Sequence, residues 1–304
     1  MSAENLMRSF SRDPDIVVGS RTNESSRYLS PRAIRVSPKV YRLFFMKHGL
    51  DTPEGMQGVI RSATSVDGDV WTIDPDAFLG AKSGFNFKRV LCPDIIRSFE
   101  GKWMMHFEGR LANGNAVIAA ALSDNCINWY VRAGFCFQDE DQSTSVGSPN
   151  VVKVNDELWR MYFHLRQNGS QVIKSAVSLN CLNWEIENGV RITQSLSTES
   201  YAAYAPHVVR IKDGTWLMVY SGWSTNPEKT GRILWAISKD GLNWNKARKP
   251  ALSPECFEDA KHCSEPSLLR LGNGRWKLFY EGCGVDNIWR ILAATANNPD
   301  TVVH

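Results

Sequence analysis

A hydrophobic pattern with a period of two residues recurs five times along the chain. In each copy an aromatic residue lies ten positions after a proline, and apolar residues follow the aromatic at the second and fourth positions. The prolines are Pro31, Pro93, Pro149, Pro206 and Pro266, and the aromatics are Tyr41, Trp103, Trp159, Trp216 and Trp276. Because successive side chains of a β-strand point to opposite faces of the sheet, this period predicts a strand at each aromatic.

Each copy also contains the signals of three further strands. Aliphatic residues shortly after the proline lead to turn residues, such as Lys212 to Gly214, so a hairpin opens the copy. A third strand ends in small residues, and in four copies a polar turn then leads to a tryptophan that marks a fourth strand: Trp71, Trp129, Trp184 and Trp244. The prolines are 56 to 62 residues apart. This spacing predicts an all-β fold, a five-bladed β-propeller with four antiparallel strands per blade.

The repeat divides the chain into a short leader and one domain. Residues 1–20 form the leader, and residues 21–304 are predicted to form a single propeller whose blades open near residues 31, 93, 149, 206 and 266. The fifth copy has no turn leading to a tryptophan, so another segment is expected to complete the blade and close the ring. Two segments remain open for this role, Asp15 to Gly19 and Thr301 to His304, and the polar leader before Asp13 is expected to be mobile.

Composition and charge exclude several classes of protein. The formal net charge is only +3 and the basic residues form no run, so we expect no nucleic-acid partner. No stretch reaches the roughly 18 apolar residues of a membrane span, and the N-terminus lacks the apolar core of a secretion signal. The seven cysteines are odd in number and form no Cys-x-x-Cys pair. These features predict a cytoplasmic protein without a membrane partner.

Polar residues collect where the innermost strands begin. The five positions directly after the prolines, here called the post-proline ring, hold Arg32, Asp94, Asn150, His207 and Ser267. If the hairpin register is symmetric, each lies beside one residue of the returning strand, and these partners, here called the second ring, are Met46, Glu108, His164, Ser221 and Glu281. Burying so many polar groups without partners is costly. The rings therefore form either a hydrogen-bonded plug or a binding site.

Several residues of this region are candidates for ligand binding. The candidate substrate-binding residues of the two rings are Asn150, His207, Glu108, His164 and Glu281. Aromatic side chains that could stack on sugar rings at the channel mouth are Tyr204 and Trp223, together with Tyr201. His164 and His207 with Asp94 or Glu108 could hold a divalent ion, but a histidine plug without metal is the expected arrangement. We therefore predict neither a metal nor another cofactor.

The blade pattern resembles the five-bladed propeller clan of glycoside hydrolases, which includes the arabinanases and β-xylosidases of family 43 and the invertases and levansucrases of families 32 and 68. The resemblance covers most of the chain. In that clan, carboxylates at three successive blade starts act as base or nucleophile, as modulator and as general acid. The segment from Val90 to Ile95, Val-Leu-Cys-Pro-Asp-Ile, is similar to the blade start that carries the supporting aspartate. The resemblance implies a catalytic role for Asp94.

The other catalytic positions depart from the pattern of the clan. An invertase-type motif has a glutamate where Leu91 stands, and the first blade start, with Arg32 after its proline, has no aspartate. On the fifth blade, Glu265 directly precedes Pro266, as the base or nucleophile of the clan precedes its proline. Asp94 and Glu265 would then be the two carboxylates that glycosidic cleavage needs. Arg32, between them, would favour their ionised forms.

These residues predict a glycoside-hydrolase-like enzyme that acts on a glycoside or another polyhydroxylated small molecule at the channel mouth. The predicted catalytic residues are Asp94, Glu265 and Arg32, and the expected partner is the carbohydrate or small-molecule substrate. Two alternatives stay open, because a fold does not determine a function. One is a repurposed propeller that performs a cyclisation, elimination or group transfer on a metabolite. The other is a carbohydrate-binding propeller without catalysis.

Overall fold

The strands in the described part of the chain form five units of four strands each. A computed structural model describes residues 2–21, 25–49, 52, 56–79, 87–98, 100–132, 134, 136–138, 144–225 and 229–296. Within these residues, antiparallel pairing of neighbouring strands makes each unit a propeller blade, and a single parallel bridge joins the last two blades. The prediction of an all-β, five-bladed propeller is confirmed.

The first three blades follow one another along the chain. Blade 1 consists of β2 (Arg27–Ser37), β3 (Val40–His48), β4 (Val59–Ser65) and β5 (Thr72–Leu79). Blade 2 consists of β6 (Arg89–Arg97), β7 (Trp103–Arg110), β8 (Ala116–Ser123) and β9 (Tyr130–Val131). Blade 3 consists of β10 (Ser145–Lys153), β11 (Trp159–Gln167), β12 (Ser170–Ser178) and β13 (Glu185–Ile186).

The last two blades close the ring. Blade 4 consists of β14 (Ala202–Arg210), β15 (Trp216–Ser224), β16 (Thr230–Ser238) and β17 (Asn245–Lys246). Blade 5 consists of β18 (His262–Arg270), β19 (Trp276–Cys283), β20 (Trp289–Ala296) and, from the N-terminus, β1 (Ser11–Arg12). The innermost strands β2, β6, β10, β14 and β18 contact one another in this order, and β18 contacts β2. The other described elements are a helix α1 (Ala3–Arg8) and a 3-10 turn (Ser197–Glu199), and neither is long and apolar enough to cross a membrane.

The leader supplies the missing strand of blade 5. Arg12 in β1 pairs with Ala294 in β20, and its guanidinium donates to the buried Asp259 carboxylate at 2.8 Å. In the proposed segment from Asp15 to Gly19, Val18 forms an isolated bridge. The alternative segment, residues 301–304, lies outside the described residues. The expectation of a mobile leader is wrong, because α1 packs its buried Ala3, Leu6 and Met7 side chains against blades 4 and 5.

The repeated apolar positions form the contacts between blades. The ten apolar residues after the repeated aromatics are at most 1% exposed: Leu43, Phe45, Met105, Phe107, Met161, Phe163, Met218, Tyr220, Leu278 and Tyr280. Each such burial contributes about 1.5–3 kcal/mol. Edge-to-face ring pairs join each repeat tryptophan to the preceding blade, and these are Trp71 with Phe279, Trp129 with Phe44, Trp184 with His106 and Trp244 with Tyr162. The repeat tryptophans therefore hold neighbouring blades together.

Candidate active site

A β-bulge interrupts the innermost strand of every blade at its proline. The residue before the proline has a φ between 46° and 55° in all five blades, and these pre-proline residues are Ser30, Cys92, Ser148, Ala205 and Glu265. A left-handed backbone is rare for residues other than glycine and costs about 1–3 kcal/mol each. All five side chains line one pocket. The bulges therefore give the five blade starts a common geometry around the channel mouth.

The bulge changes the hairpin register that the sequence analysis assumed. Arg32 pairs with Phe44, and Met46 pairs with Leu29. The same interruption occurs at the other four blade starts. The assumption of a symmetric register is wrong, because at each bulge two residues on the inner strand, the left-handed residue and the proline, oppose one residue on the returning strand. The two rings therefore lie at different levels of the channel.

The post-proline ring links neighbouring blades through side-chain-to-backbone hydrogen bonds. Four of its members accept from a buried backbone N–H of the next blade. The acceptor and donor residues are Asp94 and Val151 at 2.7 Å, Asn150 and Val208 at 2.8 Å, His207 and Leu268 at 2.6 Å, and Ser267 and Ala33 at 3.1 Å. These bonds satisfy polar groups that would be costly to bury alone. The ring is thus a hydrogen-bonded plug at these four positions.

Arg32 is the exception in this ring, because a guanidinium has no acceptor atom. Its Nε lies 3.2 Å from Asp94 Oδ1 and donates to the Pro93 carbonyl oxygen at 3.3 Å. Its Nη1 is buried and has no hydrogen-bond partner among the described residues. Burial lowers the pKa of Arg32 in spite of the opposing charge of Asp94. The ion pair therefore compensates only part of the cost of removing this cation from water.

Asp94 does not belong to the described lining of the pocket and is 3% exposed. Besides the ion pair with Arg32, its carboxylate accepts from Val151 N–H and, at 3.1 Å, from Asn150 Nδ2. Its oxygens are therefore engaged by protein donors. The predicted proton-transfer role of Asp94 stays a prediction, and these contacts favour a role in positioning Arg32.

The second ring lies at the level of the pre-proline residues and binds their backbone. Three of its members accept from a left-handed residue of the next blade: Glu108 from Ser148 N–H at 3.2 Å, Ser221 from Glu265 N–H at 2.7 Å, and Glu281 from Ser30 N–H at 3.1 Å. Glu281 also accepts from the Ser264 hydroxyl at 2.7 Å, and Glu108 lies 2.8 Å from Arg110 Nε. The ring thereby stabilises the bulges and brings two carboxylates beside the pocket.

The pocket lies where the five pre-proline residues meet. Arg32 and three of the blade-opening prolines, Pro31, Pro93 and Pro266, complete its described lining. Glu265 supplies a carboxyl group to this lining and Arg32 supplies a guanidinium. The pocket thus combines an acid and a cation in a confined space at the propeller axis.

The environment of Glu265 favours its protonated form. Burial raises the pKa of Glu265 to about 7; a hydrogen bond with Ser30 opposes this rise, and the nearby charge of Glu108 increases it. Burial also raises the pKa of Glu281 well above its usual range, and the charge of Glu265 acts in the same direction. Carboxyl groups with raised pKa values can act as proton donors near neutral pH. The site therefore holds an acid suited to protonate a bound molecule.

Cys92 lies between Glu265 and two serine hydroxyls of the pocket. Its Sγ is 3.6 Å from Glu265 Oε2, 3.3 Å from Ser148 Oγ and 3.5 Å from Ser30 Oγ. Burial, together with the charges of Glu265 and Glu108, raises the pKa of Cys92 well above its usual range. Because a thiolate is the nucleophilic form of cysteine, Cys92 acts here as a packing and hydrogen-bonding group.

The two candidate histidines are buried in their neutral forms. Burial lowers the pKa of His164 to about 4 and that of His207 well below its usual range. Nδ1 of His207 accepts the Leu268 hydrogen bond, whereas Nδ1 of His164 is buried without a partner among the described residues. The described side chains form no group of three or more His, Cys, Asp or Glu residues that could hold a metal ion. This arrangement favours the histidine plug.

Aromatic side chains cluster beside the pocket, between blades 4 and 5. Trp223 Nε1 donates to Tyr204 Oη at 2.7 Å, and the Trp223 ring stacks on His262 at a centroid distance of 4.5 Å. Lys229 Nζ lies 5.2 Å from the Tyr201 ring and 5.5 Å from the Trp223 ring. Tyr201 is 41% exposed. Of the candidates for stacking on a sugar, Tyr201 is therefore the most accessible, and the roles of Tyr204 and Trp223 stay predictions.

The structure separates the candidate residues into three groups. Glu265 and Arg32 line the pocket. Asp94, Asn150 and His207 link blades below it, and the remaining ring candidates, Glu108, His164 and Glu281, surround it. Sequence reasoning missed four lining residues, Ser30, Cys92, Ser148 and Ala205. Their common position directly before the repeated prolines was a signal that could have identified them.

Comparison with known proteins identifies solved structures that have a similar fold. No protein-family model matches the chain, and no curated protein matches its sequence. A solved structure of a glycoside hydrolase is 12% identical with a TM-score of 0.78, and the match covers 98% of this chain and 96% of that one. A thermostable family-43 glycoside hydrolase is 16% identical with a TM-score of 0.74, and the match covers 96% of this chain and 94% of that one.

A third structure is from the GH130 family of mannoside phosphorylases, which contains glycoside hydrolases that target β-1,2 mannosidic linkages in Candida mannan. It is 15% identical with a TM-score of 0.73, and the match covers 97% of this chain and 95% of that one. These identities are too low to transfer an activity, but the coverage is nearly complete. The chain therefore shares its propeller fold with structures of glycoside hydrolases.

Proposed function

We propose that this protein cleaves a glycosidic bond in the pocket and that Glu265 is the general acid. The observation that carries the proposal is the position of Glu265 in the pocket lining with a pKa raised to about 7. Glycosidic cleavage requires a protonated carboxylic acid beside the leaving oxygen. Proton transfer by such a group contributes about 10²- to 10⁴-fold to the rate. The glycoside hydrolases among the structural neighbours support this chemistry.

The second carboxylate of the reaction is assigned to Glu108. Its Oε2 accepts from the backbone N–H of Ser148, a residue of the pocket lining, and its Oε1 is ion-paired with Arg110, so a carboxylate is fixed beside the pocket. In the hydrolytic step, Glu265 gives its proton to the leaving oxygen as the glycosidic bond breaks. Water forms the new bond to the sugar carbon and gives a proton to Glu108.

Glu281 and Asp94 support this pair rather than exchange protons with the substrate. Glu281 holds Ser30 N–H and the Ser264 hydroxyl with its two oxygens. Asp94 holds Arg32 at the pocket floor. The exposed Tyr201 ring beside the mouth offers a stacking surface for a sugar outside the pocket.

The test is a panel of aryl glycosides assayed with the wild-type protein, Glu265→Gln and the control Glu157→Gln. Glu157 is an exposed residue on a turn between β10 and β11, far from the pocket along its blade, so the same chemical change there should leave the rate unaltered. We expect Glu265→Gln to lower kcat/KM by about 100-fold or more. In the wild type the rate should fall as the pH rises above about 7, because Glu265 then loses its proton.

The outcomes of this assay separate the possible functions. Wild-type turnover that survives in Glu265→Gln contradicts the assignment of the general acid. Absence of turnover, with sugar binding to the pocket, favours the carbohydrate-binding alternative. Release of a sugar phosphate only when inorganic phosphate is added would identify phosphorolysis in place of hydrolysis.

A further inference from the structure

The pocket contains a buried cation with unused hydrogen-bonding capacity. Arg32 lines the pocket and is 8% exposed, and its Nη1 is buried without a partner among the described residues. A buried donor without an acceptor is destabilising, and such groups in native proteins call for an explanation. A ligand that places a hydrogen-bond acceptor next to Nη1 would satisfy this buried donor.

The charges around Arg32 indicate what kind of acceptor fits. Asp94 Oδ1 lies 3.2 Å from the Nε of the guanidinium, and burial lowers the pKa of Arg32 despite the charge of Asp94. The Nη1 group receives no acceptor from the described residues and can therefore bind one supplied by a ligand. On the pocket side, the raised pKa values of Glu265 and Glu281 favour their neutral forms, which weakens their repulsion of a monoanion.

We propose that the pocket binds a sugar that carries a carboxylate group and that Arg32 binds this carboxylate. A guanidinium offers two parallel N–H donors that match the two oxygens of a carboxylate. The inference rests on the proposed function only in taking the ligand to be a sugar, and it names the substrate class of the same site.

Binding can be measured without turnover. Isothermal titration of the full-length wild-type protein and of Glu265→Gln would compare D-glucuronate with D-glucose, D-galacturonate with D-galactose, and all four with inorganic phosphate. We expect at least one acidic sugar to bind about 10- to 100-fold more tightly than its neutral counterpart, as one charge-assisted hydrogen-bonding pair provides. Glu265→Gln should keep this preference because the carboxylate of the ligand binds Arg32.

Substitutions of Arg32 test the assignment directly. Arg32→Gln should abolish the preference for the acidic sugar, and Arg32→Lys should retain part of it, because lysine keeps the charge but not the two parallel donors. Arg270→Gln is the matched control, since Arg270 is exposed at the far end of the innermost strand β18, whose start carries Glu265. It should bind like the wild type. If Arg32→Gln fails to fold, Arg32→Lys alone tests the assignment, and its preference for the acidic sugar should be weaker than that of the wild type.

The inference would be overturned by equal affinity for acidic and neutral sugars, by an acid preference that survives in Arg32→Gln, or by phosphate binding more tightly than every acidic sugar. Failure of all the sugars to bind would also overturn it. The proposed function fails in a different way. Acid-selective binding without cleavage of any glycoside would leave the inference intact, and cleavage of neutral glycosides only would leave the proposed function intact.

Discussion

The raised pKa of Glu265 should make the stability of the protein depend on pH in a way that one substitution removes. In the unfolded chain the carboxyl group titrates near 4.5, and in the folded protein near 7. Between these values the folded state holds a proton that the unfolded state has released. Stability should therefore fall as the pH rises from 4.5 to 7, and the full cost should be present above pH 7. Glu265→Gln removes the titrating group and with it this cost.

The magnitude follows from the two pKa values. At about 1.4 kcal/mol for each tenfold change in an equilibrium constant, a rise from 4.5 to about 7 corresponds to about 3 kcal/mol. The entropy of unfolding is about 2.1 cal/mol/K per residue, so for 304 residues this free energy corresponds to about 5 °C in Tm. Glu281 acts in the same direction, because the charge of Glu265 contributes to its raised pKa.

The assay is urea unfolding of the wild type, Glu265→Gln and Glu157→Gln at several values between pH 4.5 and pH 8.5. As the pH rises across this range, the free energy of unfolding of Glu265→Gln should increase relative to that of the wild type by up to about 3 kcal/mol. The free energy of unfolding of Glu157→Gln should change with pH as that of the wild type does. Comparing pH values within each variant removes any constant effect of the amide on the Ser30 hydrogen bond. A difference between Glu265→Gln and the wild type that stays constant with pH would refute a raised pKa at Glu265.

Two further predictions concern the stability of the ring, measured by urea unfolding. Asp94→Asn should lower the free energy of unfolding by about 3–5 kcal/mol, because it leaves the buried Arg32 cation without its ion pair. The control Asp124→Asn, at an exposed residue, should leave the free energy of unfolding nearly unchanged. An unchanged stability of Asp94→Asn would contradict the linking role. Arg12→Ala should lose about 2–5 kcal/mol, because it unpairs the fully buried Asp259 and weakens the fourth strand of blade 5. The control Arg8→Ala, which breaks an exposed ion pair with Glu4, should lower the free energy of unfolding by less than about 1 kcal/mol. Equal losses in the two arginine variants would contradict the closure of blade 5 by β1.

The fold could be predicted from the sequence because its repeat has a direct physical cause. A blade needs apolar residues at alternate positions of the second strand, such as Leu43 and Phe45, and a tryptophan that packs on the preceding blade, such as Trp71 on Phe279. These requirements recur in each blade and leave regular spacings in the chain. The number of blades and the order of the strands in the first four blades therefore follow from local pattern alone.

The details of the site depend on features with no local signature. Left-handed φ values are typical of glycine, yet the five bulges place them on serine, cysteine, alanine and glutamate. A symmetric hairpin was therefore the natural expectation, and it put Arg32 beside Met46 instead of Phe44. Ring closure was hidden for a similar reason, since Arg12 finds its partner Asp259 247 positions along the chain. Only the three-dimensional structure brings such residues together.

The fivefold pattern itself shows which residues are not needed for the fold. Among the pre-proline residues, Ser30, Cys92, Ser148 and Ala205 are small, and Glu265 is the one that carries a carboxyl group. In the post-proline ring, four members accept a backbone hydrogen bond, and Arg32 cannot. Neither Glu265 nor Arg32 is explained by a purely structural ring, because Glu265 introduces a buried acid and Arg32 introduces a buried cation with an unpaired nitrogen. Glu265 and Arg32 line the same pocket. The proposed reaction on an acidic sugar requires an acid and an anion-binding group in one pocket.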